Sequence, residues 1–103
     1  MTQNVIYCLS CSKCKVQYVG ETKRATMIRL KEHLADITNK RNKPVSNHFL
    51  KPNHDPSHLV PTILETVSGD PTLATTTSFR RERERIWIYR LRSPTPLGLN
   101  VMV

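Results

Sequence analysis

The chain has 103 residues, 38% of them hydrophobic, with 16 Lys and Arg against 8 Asp and Glu, a net charge of +8 and a pI near 9.9. That length allows one domain with a modest core, and no apolar run approaches the roughly 20 residues of a membrane span. The N-terminus lacks a signal-peptide pattern, so an intracellular chain is expected. The charge is also segregated: residues 1–43 hold nine Lys/Arg and three acids, residues 44–79 one and three, and residues 80–103 six and two. The two ends therefore carry +10 together and the middle −2, which favours one positive face. The commonest polyanion for such a face is nucleic acid; the plainer alternative is a solvated basic surface.

In chain order, Asn4 to Leu9 alternates with β-favouring residues and reads as a strand. Ser10 to Lys15 reads as a tight polar turn and Val16 to Val19 as a second strand, so a hairpin brings Tyr7 and Tyr18 onto neighbouring strands. Thr22 is placed to cap a helix running to about Asn39, with Met27, Leu30, Leu34 and Ile37 as its buried stripe. Val45 to Leu50 forms a short helical turn behind Pro44, and the proline-punctuated stretch 51–61 forms a loop. Thr62 to Val67 is the third strand, broken by Gly69-Asp70-Pro71. A last helix runs from about Thr76 to Arg92, halted by Ser93-Pro94 and Pro96. The order β-β-α-(α)-β-α predicts a single α+β domain over 1–103, a three-stranded antiparallel sheet flanked by helices.

Three groups of residues could carry chemistry. On the last helix, Trp87, Ile88 and Leu91 share one apolar arc with Glu84 at its centre. A carboxylate there needs a compensating partner, either a divalent metal or one of the many arginines. On the first helix, Arg29 and His33 are four residues apart and share a face, as a phosphate fork with a proton carrier or as two solvated side chains. Third, Cys11-x2-Cys14 has knuckle spacing for one tetrahedral zinc, which His48 and His54, or His54 and His58, could complete; free thiols are the alternative. Cys8, opposite Tyr7 in the first strand, reads as core.

Taken together, "VIYCLSCSKCKVQYVGETKR", "RLKEH", "PVSNHF", "RERERIWIYRL" and "PLGLN" resemble the GIY-YIG nuclease superfamily, and within it the endonuclease domain of Penelope-like retroelements. The resemblance runs from Asn4 to Asn100 and departs at Val5, where the superfamily name has Gly. It implies a metal-dependent DNA endonuclease. Tyr7 and Tyr18 would face the scissile phosphate, with His33 a rival for proton transfer. Arg29 would hold the phosphate, Glu84 would bind magnesium or manganese, and Asn100 would support the site. Cys11, Cys14, His48 and His54 would bind structural zinc. DNA is the implied substrate and a reverse transcriptase domain of the same element the implied partner, with a nicked nuclear target priming reverse transcription. The rival readings are a catalytically inactive zinc-stapled nucleic-acid-binding module and a protein-interaction domain for acidic partners.

Overall fold

The computed structural model describes residues 2–101. Strand β1 (Val5–Cys11) is the middle of a three-stranded antiparallel sheet, flanked by β2 (Gln17–Thr22) and β3 (Leu59–Thr66). Val5 through Leu9 are all buried, as a central strand covered on both faces requires. The β1–β2 register sets Tyr7 opposite Gly20 and Leu9 opposite Tyr18, so the two tyrosines lie on one face two residues apart. Against β3 the register slips between Ile6 and Tyr7, a bulge at Leu64.

Side chains alternate across β1. Tyr7, Leu9 and Cys11 pack with Ile37 of helix α1 (Thr26–Thr38) and with Val45 and Phe49 of helix α2 (Pro44–Phe49). On the other face, Ile6 and Val19 pack with Val67, and with Ile88 of helix α3 (Ala74–Leu91). Cys8 is buried in β1, as expected of a core residue.

Both early strands are longer than expected. Ser10 and Cys11 belong to β1, and Gly20, Glu21 and Thr22 belong to β2. Lys15 closes the connecting turn at φ 68, its N–H donating to the Cys11 carbonyl at 2.8 Å. Thr22 is therefore not the helix cap: Ala25 holds that position with no side-chain cap bond, and the Thr22 hydroxyl accepts from the Arg24 N–H instead. Met27, expected in the buried stripe, is 44% exposed, and only Leu30, Leu34 and Ile37 of that stripe meet the core. A 3-10 turn (Pro56–His58) interrupts the proline-rich loop, and β3 starts three residues earlier than predicted. Pro61 sits inside that edge strand, where a missing N–H costs nothing.

Candidate active site and metal centre

The phenols meet the first helix at the β2 side of the sheet. Tyr7 Oη lies 2.9 Å from His33 Nε2, and the Tyr18 ring stands edge-on to the same imidazole at 5.7 Å. Gly20 makes this possible: a β-carbon there would fall inside the Tyr7 ring, so only glycine lets the phenol cross its neighbour strand. Burial pushes the Tyr7 hydroxyl far above the usual phenol range, Tyr18 adds to the shift, and Arg29 opposes it. Tyr18 is likewise raised, first by burial, with Arg29 lowering and Glu84 raising it. The pKa of His33 falls to about 4, by burial and then by the Arg29 charge, so the imidazole is neutral at physiological pH.

Arg29 and Glu84 thus bear on both phenols with opposite signs, Arg29 lowering and Glu84 raising each. Glu84 is half-buried and, among the described residues, forms no ion pair. Burial and then Glu21 push its carboxyl up to about 7. The alternative expectation, an arginine partner for Glu84, is not met. Arg80 and Arg81 turn to Glu21, and Arg83 pairs with Glu65, which also accepts from Trp87 Nε1 at 3.0 Å. An anion short of a cation, beside a basic cleft, fits a hard divalent ion, which takes one or two carboxylates plus water and phosphate oxygens. The cleft of about 240 Å³ is lined by Lys23, Arg24, Arg29, Arg80 and Arg81 with Glu21.

Asn100 does not reach this cluster. Its side chain is buried behind β2, where Oδ1 accepts from the Val19 N–H and Nδ2 donates to the Val19 carbonyl, each at 2.8 Å. The amide extends the sheet like one more strand residue and fixes the backbone next to Tyr18.

Cys11, Cys14, His48 and His54 form the second cluster, with ligand atoms all within 4.8 Å of one another. Tetrahedral zinc spaces its sulfur and nitrogen ligands about 3.3–3.8 Å apart, so the four atoms need only a small contraction. Two details favour a metal. Cys14 Sγ and His48 Nε2 are already 3.2 Å apart. His54 Nε2 is buried with no hydrogen-bond partner, while Nδ1 donates to the Pro52 carbonyl at 3.1 Å, which leaves the free lone pair turned inward. The cluster could hold zinc. His58 is not one of these four; its Nδ1 accepts from the Asp55 N–H at 3.2 Å in a capping box. A metal here would tie the end of β1 to α2 and the following loop, fixing the hairpin that carries both tyrosines.

No protein-family model matches the sequence, and no curated protein is significantly similar to it. Among solved structures the chain is similar to the catalytic domain of homing endonuclease I-TevI, with a TM-score of 0.73 and 23% identity over 96% of this chain and 98% of that one. A single-substitution mutant of the same catalytic domain, described as an intron endonuclease, gives a TM-score of 0.74 and 22% identity over 94% and 91%. The architecture is the GIY-YIG fold. Sequence reasoning missed the Glu21–Arg80–Asn4 network beside the site, whose members lie up to 76 residues apart with no motif linking them.

Proposed function

We propose that this chain is a DNA endonuclease that uses a divalent metal at Glu84 to hydrolyse one phosphodiester, leaving a nick. The observation that carries the reading is the packing of Tyr7 and Tyr18 against His33, with Tyr7 Oη 2.9 Å from Nε2, on a helix that also carries Arg29, together with a half-buried Glu84 that no described arginine pairs. The fold shared with the catalytic domain of a homing endonuclease and the basic cleft beside the site both support it.

The proton route follows from the pKa shifts. Tyr7 is a phenol, not a phenolate, at neutral pH, so it can take a proton from water only by giving up its own. Neutral His33 stands within hydrogen-bond reach to receive that proton at Nε2. Tyr18 orients the attacking water. The water oxygen bonds to phosphorus, the bond to the 3′-oxygen breaks, and the products are a 5′-phosphate and a 3′-hydroxyl once the leaving oxygen is protonated by solvent. Arg29 holds the phosphate and offsets the negative charge that builds on it. A magnesium or manganese ion bound at Glu84 would polarise the phosphoryl oxygen and stabilise the leaving oxygen.

The finer reading is a retroelement nuclease related to the Penelope-like elements. A nicked target in the nucleus would give a 3′-hydroxyl primer to a reverse transcriptase domain of the same element, and zinc at Cys11, Cys14, His48 and His54 would staple the hairpin. It rests on the order and spacing of the sequence motifs. Incubation with supercoiled plasmid and Mg²⁺ or Mn²⁺ tests the activity. The parent should nick, with Glu84→Ala and Arg29→Ala slower by about 10²–10³. Equal nicking by all three would overturn the site. Binding without nicking at every salt concentration would instead favour an inactive zinc-stapled binding module.

A further inference from the structure

Helix spacing works against Glu84. Arg80 precedes it by four residues and Arg81 by three, the separations at which opposite charges on a helix pair. Neither arginine pairs with it. Arg80, only 3% exposed, donates from Nε to Glu21 Oε2 and from Nη1 to Asn4 Oδ1 at 2.9 Å. Arg81 Nε lies 3.8 Å from Glu21 Oε1. One strand carboxylate thus occupies two helix guanidiniums. The arrangement is anchored at its far end, because Asn4 donates from Nδ2 to the Val67 carbonyl at 2.7 Å and accepts the Val67 N–H at 2.8 Å.

We propose that Glu21 is a positioning residue for the metal site: by holding Arg80 and Arg81 against β2, it keeps both off Glu84 and leaves that carboxylate free for a divalent cation. The inference rests on the reading of Glu84 as the metal-binding carboxylate. A guanidinium paired with Glu84 would compete with the ion for the same oxygens and offset the charge that attracts it. Position 21 is suited to the task because β2 carries Tyr18 and Gly20 on one face and Glu21 on the face packed by α3.

The test is Mn²⁺ binding to the purified chain without DNA, read from the spin resonance of the free ion, with circular dichroism confirming the fold of each variant. Glu84→Ala should abolish the tightest binding; if it does not, the metal assignment of Glu84 falls and this inference loses its basis. With that dependence established, Glu21→Gln should weaken Mn²⁺ binding about tenfold as a freed arginine turns to Glu84. In the Arg80→Gln/Arg81→Gln background the same step should change binding less than about twofold, because no guanidinium remains to be released. Parent-like binding by Glu21→Gln, or the full loss persisting in that background, would overturn the role of Glu21 while leaving Glu84 as a ligand. Should loss of this half-buried charge unfold the chain, Glu21→Asp carries the test. It retains a charge for Arg80 but falls short of Arg81, so binding should weaken about two- to threefold and recover when Arg81→Gln is added. Failure to recover would again overturn it.

Discussion

Glu84 illustrates a residue kept against its own stability. Its carboxyl is raised from 4.5 to about 7, so the folded chain holds a proton over that interval that the unfolded chain has released. Protonated Glu84 therefore contributes stability fully below pH 4.5, and that contribution is lost as pH rises through 7. Without added divalent metal, Glu84→Gln should raise the Tm by a few degrees, about 2–6 °C, at pH 8 and leave it nearly unchanged at pH 4.5. The same gain at both pH values would mean the carboxylate is not strained. His33 has the opposite sign. Depressed from 6.5 to about 4, it contributes stability present above 6.5 that is lost as pH falls through 4. Tyr7→Phe keeps the ring over Gly20 but removes the oxygen bonded to His33. Nicking should fall by about 10²–10³ with DNA affinity unchanged, measured side by side on one plasmid substrate. The isolation of Glu84 in an apolar arc was legible from the helical wheel. That its arginine neighbours would desert it was not, because their partner lies 59 residues earlier, on a strand.

At the scale of elements, the hairpin is the part on which the site depends. Its strands were legible from alternation and its turn from composition, but both strands run further than the pattern suggests. Propensity sees Gly20 as a breaker, whereas pairing with Tyr7 keeps it inside the ladder. Gly20→Ala should therefore cost about 1–3 kcal/mol by overpacking, seen as a lower denaturation midpoint, and should displace Tyr7 with loss of nicking. The Cys/His cluster tests the other end of the same hairpin. Cys11→Ser should lower zinc content and the Tm together, and chelation should reproduce the loss in the parent but not in the variant. Unchanged metal content in Cys11→Ser would remove that cluster as a zinc site. The first helix shows what local signals miss. Thr22 carries the right side chain for a cap, yet it ends β2, since strand pairing with Val5 outweighs a cap bond.

Across the molecule, a net +8 segregates as the two basic ends of the sequence suggest, and the fold brings them together. Lys23, Arg24 and Arg29 from the first half meet Arg80 and Arg81 from the last helix around one cleft. Affinity for duplex DNA should fall steeply with salt, and Lys23→Gln or Arg24→Gln should each lower the log–log slope by about 0.9 if it touches one phosphate. Glu84→Ala should leave that slope unchanged, which separates holding DNA from cutting it. A slope untouched by either substitution would place the nucleic acid on another face.

Sequence alone determined the α+β order, the antiparallel hairpin and the unusual Glu84, because each is written in local periodicity, and the Cys11-x2-Cys14 knuckle by its short spacing, with His48, His54 and His58 left as alternative partners. Tertiary structure alone decided which of those groups meet. The phenols reach His33 because glycine lies beneath one of them. Asn100 is spent on the Val19 backbone, His58 is not among the four residues of the metal cluster, and Glu21 takes the arginines that helix spacing offers to Glu84. Such choices are competitions between partners distant in sequence, settled by burial and distance, and neither quantity exists until the chain has folded.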